Sequence, residues 1–189
     1  SRGCDDDRKH THGKLKPTVY MQSSAFKSPT KGDLLKGSAA ITRDDIRWSQ
    51  CDTKATSLLA NIMFAQEAKN HGVEEVILIR DGIVTECSSS NLFLVKNNCI
   101  YTHPKGPYIL PGITREMIID CAKYCNIEVK EVAFNKDSLM DADEVWISSS
   151  TREVVPIIRI DDSPVNNGKV GETWSLIYDR YQVIKSINV

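Results

Sequence analysis

The chain has 189 residues, 41% hydrophobic and 26% charged, with a formal net charge of -1. That length suits one globular domain or slightly more, and the dispersed basic residues exclude a nucleic-acid footprint. No apolar run reaches membrane-spanning length, and the stretch from Ser1 to His10 has no apolar signal-peptide segment, so neither a membrane nor a nucleic acid is expected as a partner.

Residues 16–22, from Lys16 to Gln22, read as a strand. Residues 27–36 are polar with Pro29 and Gly32 and read as a loop. Gly37 to Thr42 is short and strand-like, and Arg47 to Asp52 reads as extended chain running toward Lys54. Leu58 to Asn70 is a helix: Leu58, Leu59, Ile62, Met63, Ala65 and Ala68 recur at helical spacing, and Gly72 stops it. Glu75 to Ile79 is a buried strand, followed by Asp81-Gly82, the preferred chemistry of a tight hairpin. Asn91 to Val95 is the next strand, and an Asn97-Asn98 turn leads into another from Cys99 to Thr102.

Pro111-Gly112 opens a second helix that runs from Ile113 to about Tyr124. Ile127 to Phe134 alternates as a strand, and Lys136 to Ala142 is a short helix. Two strands follow, Glu144 to Ser148 and Val154 to Ile160. A terminal helix from Gly171 onward carries Trp174, Ile177, Tyr178 and Tyr181 on its apolar side. Hairpins mixed with scattered helices indicate an α+β fold rather than a regular βαβ alternation.

Six cysteines (Cys4, Cys51, Cys87, Cys99, Cys121, Cys125) show no metal-type spacing, and no metal site is expected. Cys121 and Cys125 share a helix face and could form a redox or metal pair. Two small buried hydrophobes are the stronger reading. Free thiols place the chain in the cytoplasm.

Chemistry concentrates between Ile79 and Val95. Glu86 stands at the inner end of an apolar strand, followed by Ser88, Ser89 and Ser90. A carboxylate there is costly to bury unless a cation meets it, which makes Glu86 a candidate for holding a positively charged ligand atom. Two further places suit an anion. At Pro111-Gly112-Ile113-Thr114-Arg115, a helix start turns free N–H groups and a dipole outward; alone, it reads as an ordinary cap. Ser148-Ser149-Ser150-Thr151 after a strand can cradle phosphate or be a polar turn. Lys54 has small and hydroxyl neighbours ahead of a helix. A lysine near a helix start opposes the dipole, so it is either a surface residue or an amine with a lowered pKa that forms a Schiff base. An amine nucleophile, a carboxylate for a ring cation and two phosphate cradles are together the parts of a pyridoxal-phosphate site.

The chain resembles the class IV aminotransferases, the fold-type IV pyridoxal-phosphate enzymes, and within them the D-amino-acid aminotransferases. The resemblance runs from Arg2 to about Tyr181 and is carried by Asp44 to Trp48, Cys51 to Lys54, Ile79 to Val95, Tyr101 to Pro104, Ile109 to Arg115 and Ala142 to Val145. It implies that Lys54 forms the Schiff base with the cofactor and shuttles the proton. Glu86 would keep the pyridine nitrogen protonated, and Leu110 would pack on the ring. Ile113 and Thr114 would hold the phosphate, with Ser149 and Ser150 at its second contacts. Ser88 would lie beside the ring and substrate, where close backbone packing is an equal reading. Arg8-Lys9-His10 resembles the Arg-x-His element that traps a substrate carboxylate, a task suited to an arginine fork. The match departs at Thr56 and Ser57, where the family usually has an apolar residue and Asn.

The fold implied is the large cofactor-binding domain, with mixed and antiparallel sheets forming a pseudo-barrel against packed helices. Residues 15–189 would be that domain. Residues 1–14 would be the junction with a small N-terminal domain that this sequence lacks, so that the chain alone would be inactive or poorly active. The implied reaction moves an amino group between an amino acid, with D-alanine favoured, and a 2-oxo acid, in a homodimer. Rivals within the fold are aminodeoxychorismate lyase and branched-chain aminotransferase. A non-catalytic remnant of the fold is the rival from another class.

Overall fold

Apolar runs punctuated by tight turns build one curled, mixed sheet with helices on both faces. The computed structural model describes residues 1–6, 11 and 13–187. A short helix α1 (Lys31–Leu34) precedes β1 (Ser38–Asp44), α2 (Leu59–Asn70), β2 (Glu75–Arg80), β3 (Ile83–Cys87), β4 (Asn91–Lys96) and β5 (Cys99–Thr102). Then come α3 (Ile113–Tyr124), β6 (Glu128–Glu131), β7 (Phe134–Asn135), α4 (Lys136–Met140), β8 (Glu144–Ser149), β9 (Glu153–Ile160), β10 (Ser163–Pro164) and α5 (Glu172–Ile187). No helix among the described residues is long and apolar enough to cross a membrane.

The strand order is β6-β5-β4-β8-β9-β1-β2-β3-β7, with β10 added against β9. Three pairings are parallel (β1 with β2, β1 with β9, β5 with β6) and the rest are antiparallel. The two ends of this order, β6 and β7, are separated in sequence only by Val132 and Ala133. Successive Cα atoms lie about 3.8 Å apart, so the edges must approach each other and the sheet must curl into a half-barrel. A flat sheet of this order would hold them many strands apart.

Alternation along β1 and β2 divides the core. Ala40 and Ile77 face the main cluster, where α3, α5, Phe93, Trp146 and Trp174 pack. Ile41, Val76 and Leu78 point to the other face, onto Phe64 and Ala68 of α2. Burial on both faces explains the unbroken apolar run Val76-Ile77-Leu78. The Asp81-Gly82 turn has φ of 51° and 79° and joins Arg80 directly to Ile83, as a two-residue hairpin of mirror-image turn type requires. Helix α5 begins against Glu144, whose carboxylate accepts from Thr173 N (2.9 Å), Trp174 N (2.8 Å) and Trp146 Nε1 (3.0 Å). Gly171 is needed there, because a Cβ would overlap the Glu144 side chain.

Several expectations hold: α2, α3, the Asp-Gly hairpin and the buried Trp174, Ile177, Tyr178 and Tyr181 face of α5. Cys121 is fully buried and Cys125 half-buried, both packed in the core as small hydrophobes. Others need correction. Residues 16–22 form no strand: Val19, Tyr20 and Met21 are exposed, and alternation without an adjacent edge to pair with does not make a strand. The loop expected over 27–36 contains α1, capped by the Thr30 side chain accepting from Asp33 N. Arg47 to Asp52 is not extended: it runs through bends into a turn, and Arg47 points its side chain inward. The single strand expected over Ile127 to Phe134 is two, β6 and β7, at opposite ends of the sheet. Finally, α2 buries the narrow stripe Ala60, Phe64 and Ala68, while Leu58, Leu59, Ile62 and Met63 are exposed.

Candidate active site

Between α2, the β3–β4 turn, the start of α3 and the β8–β9 turn lies a cavity of about 580 Å³, within the ~300–1,000 Å³ common for small-molecule sites. Lys54, Glu86, Ser88, Leu110, Ile113, Thr114, Ser149 and Ser150 all line it. The fold thus brings together residues separated by nearly a hundred positions. Arg8 and His10, the expected carboxylate trap, lie outside the described residues.

Glu86 sits at the floor, 5% exposed. It accepts from Arg47 Nη1 (2.6 Å), Asn91 Nδ2 (3.0 Å) and Leu110 N (3.1 and 3.2 Å to its two oxygens). The cation that the buried carboxylate demanded is therefore first of all Arg47, a partner the sequence reading did not name. Three donors share the carboxylate's two oxygens, with Leu110 N bridging both. Arg47 is in turn held by Asp45, which accepts from its Nε (2.9 Å) and Nη2 (3.0 Å). Burial strips Glu86 of water and raises its carboxyl to about 7, with the pull of Arg47 and Leu110 too small to cancel it. Asp45 is also raised by burial. It draws on Arg47 at two atoms and on Arg80 besides, so it ends below the ordinary carboxylate range. Burial opposes the Arg47 charge as well, but Asp45 and Glu86 more than offset this, and the guanidinium holds its proton more firmly than usual.

Asn91 joins the floor to the anion end. Its amide donates to Glu86 and to Leu110 O (2.7 Å), and its Oδ1 accepts from Gly112 N (3.2 Å). Gly112 must be glycine for this contact, since a Cβ would stand 2.6 Å from Asn91 Oδ1. No side chain caps α3, so its first N–H groups have no intrahelical acceptor where Ile113 and Thr114 line the cavity. Ser148 Oγ, also on the cavity wall, is buried without a hydrogen-bond partner among the described residues.

Lys54 lies on the irregular segment before α2, five residues ahead of Leu59, so it does not oppose the helix dipole in the first turn. Lys54 is exposed and lines the cavity, and its ammonium makes no hydrogen bond or ion pair among the described residues. Cys51 and Cys87 share the wall, and burial raises both thiols above the ordinary range, which disfavours the thiolate. The sequence reading missed Asp45, Arg47, Asn91, Glu75 and Arg152. The signal available for Glu75 was an acidic residue opening a wholly apolar strand, which needs a partner as much as Glu86 does.

The family model described as amino-transferase class IV matches residues 1–160. The chain belongs to the class IV aminotransferases. It is 43% identical over 165 residues to the D-alanine aminotransferase of Bacillus licheniformis, covering 87% of this chain and 58% of that protein. To the D-alanine aminotransferase of Listeria innocua it is 38% identical over 183 residues, 96% of this chain and 63% of the other. The chain thus spans about three-fifths of the length of these curated relatives. Among solved structures, the branched-chain aminotransferase of Thermoproteus uzoniensis with norvaline superposes with a TM-score of 0.73 at 30% identity, over 84% of this chain and 54% of that one. The T.th. branched-chain aminotransferase complexed with N-(5'-phosphopyridoxyl)-L-glutamate gives 0.72 at 30% identity, over 79% and 52%. Class IV aminotransferases are pyridoxal-phosphate enzymes.

Proposed function

We propose that this class IV aminotransferase chain is the cofactor-binding large domain, residues 15–189, of a transaminase acting on D-amino acids, with D-alanine as the leading donor and a 2-oxo acid as acceptor. Residues 1–14 are then the junction to a small domain. The carrying observation is one cavity lined by Lys54, the buried Glu86, the start of α3 and Ser148, where among the described residues the Lys54 ammonium and the Ser148 hydroxyl have no partner and no side chain caps α3.

That donor set fits pyridoxal phosphate. Ile113 and Thr114 would offer N–H groups to the phosphate, and Ser149 and Ser150 would meet it from the opposite rim. Leu110 would pack on the ring, and Glu86 would face the ring nitrogen. When bound, the cofactor supplies the electron sink that stabilises negative charge at the substrate α-carbon. Lys54 supplies the amine and carries a proton to and from that carbon. Arg47 and Asn91 keep Glu86 oriented toward the ring, and Ser88 lines the substrate side. Arg8 and His10 are assigned to the substrate carboxylate on the sequence resemblance.

Higher identity to D-alanine enzymes than to the branched-chain neighbours favours the D-amino-acid reading. A homodimer is proposed as well, supported by Leu59 and Met63 of α2, which are exposed outside the cavity lining. The cytoplasm is the proposed compartment, since four of the six cysteines are buried singly as thiols.

The test is a titration with pyridoxal phosphate followed by absorbance, then borohydride reduction and peptide mass mapping. The expected result is a cofactor adduct on Lys54 that is absent in Lys54→Ala. An unlabelled Lys54, or an undiminished adduct in the variant, refutes the assignment. Turnover of D-alanine, L-leucine and aminodeoxychorismate, measured on a protein that also carries the proposed small domain, then separates the three enzyme readings.

A further inference from the structure

A second buried carboxylate stands behind the cavity wall, and its hydrogen bonds decide what the wall can donate. Glu75, 1% exposed at the start of β2, accepts from the hydroxyls of all three turn serines: Ser88, Ser89 (2.9 Å) and Ser90 (3.0 Å). Each serine has one proton to give, and all three are spent on Glu75. Arg152, in the β8–β9 turn, donates from Nη2 to Glu75 (2.6 Å) and to Ser89 Oγ (2.7 Å). The same residue donates its backbone N–H (3.2 Å) and Nε–H (3.4 Å) to Ser149 Oγ. Both bonds fall on the oxygen of Ser149, so its proton is free. The carboxylate is ionised: burial raises its pKa, but the Arg152 charge and the Ser88 bond overcome this and hold it below the ordinary range.

We propose that the Glu75–Arg152 ion pair is a positioning element that polarises the two serine rims in opposite senses. Ser88, Ser89 and Ser90 are held with their protons turned away from the cavity, so their hydroxyls can only accept from a ligand there. Ser149 is held with its oxygen filled from behind, so its hydroxyl donates. An anion is thereby steered to the Ser149 rim and the start of α3, and away from the β3–β4 turn, where a cationic or hydrogen-bond-donating ligand group belongs. Arg152 touches no ligand in this scheme; it acts through Ser149. The inference rests on the reading that the cavity takes a phosphorylated ligand.

The test is a cycle of Arg152→Met, Ser149→Ala and the double variant of the full chain. Affinities for pyridoxal phosphate and for unphosphorylated pyridoxal are measured by fluorescence or absorbance titration. Each single change is expected to weaken pyridoxal phosphate about tenfold, the worth of one hydrogen bond to a charged group. Pyridoxal affinity should stay within about twofold, and the double variant should be no worse than either single one. Additive losses, equal losses for both ligands, or no loss at all would overturn the positioning role while leaving the cofactor reading intact. A wild-type chain that binds no pyridoxal phosphate overturns both. Arg152→Met leaves Glu75 buried and unpaired; if it does not fold, the cycle is run in Glu75→Gln/Arg152→Met, where adding Ser149→Ala should cost nothing further.

Discussion

Replacing Glu86 by glutamine should flatten the protein's stability as a function of pH in one defined window. The folded carboxyl is raised from 4.5 to about 7 by burial, so it binds its proton more tightly than the unfolded chain does. Its stabilising contribution is therefore complete below pH 4.5 and is lost as pH rises through 7. At about 1.4 kcal/mol per pKa unit, the loss between pH 5 and pH 8 is about 2–3 kcal/mol. His103 works in the same window with the opposite sign. Burial lowers its pKa below 6.5, so its contribution is present above that value and is lost as pH falls through the folded pKa. Both proteins carry His103, so the difference between them isolates Glu86. Urea unfolding of wild type and Glu86→Gln at pH 5, 6, 7 and 8, without added ligand, should show wild type falling behind by about 2–3 kcal/mol across the series. A gap constant within about 0.5 kcal/mol, roughly a third of one pKa unit's worth, or one that moves the other way would mean that Arg47 outweighs burial. The electrostatic account of the cavity floor would then be wrong. Adding pyridoxal phosphate should shrink the slope, because a ring cation beside Glu86 draws its pKa back down.

Gly112→Ala should drive a methyl group into Asn91 Oδ1 and cost about 1–3 kcal/mol in urea unfolding, with cofactor affinity falling alongside; an unchanged midpoint would show that Asn91 is not fixed there. Glu144→Ala removes the acceptor of Thr173 N, Trp174 N and Trp146 Nε1 and should destabilise the chain by about 2–4 kcal/mol. A loss below about 0.5 kcal/mol would contradict the cap. Leu59→Lys on the exposed face of α2 should leave the circular dichroism spectrum intact and shift sedimentation toward the monomer; an unchanged mass at equal concentration counts against a dimer through that face.

The legible part of this chain was local. Period and turn chemistry located α2, α3, α5 and the Asp81-Gly82 hairpin, because each is decided by residues a few positions apart. The cavity residues were legible as an assortment of chemistry, and the fold supplied their convergence. What escaped the sequence were pairings made across the sheet. Arg47 meets Glu86 and Arg152 meets Glu75 over separations of 39 and 77 residues, and nothing in a linear charge pattern ranks these arginines above the others. The Leu59 and Ile62 face misled for a related reason. Helical spacing identifies an apolar stripe but not what covers it, and in this chain the smaller Ala60-Phe64-Ala68 stripe reaches the sheet.

Val132 and Ala133 tie the first and last strands of the sheet together. Open sheet edges are templates for pairing with other chains, and many proteins blunt them with charge, proline or a covering helix. Here a two-residue tether draws both edges to one place, and β6 carries Glu128, Lys130 and Glu131, charged side chains of the kind that blunt an edge. A protease cut between Glu131 and Phe134 would remove the tether that holds the two edges near each other, so a nicked chain should keep its composition yet become more prone to aggregate.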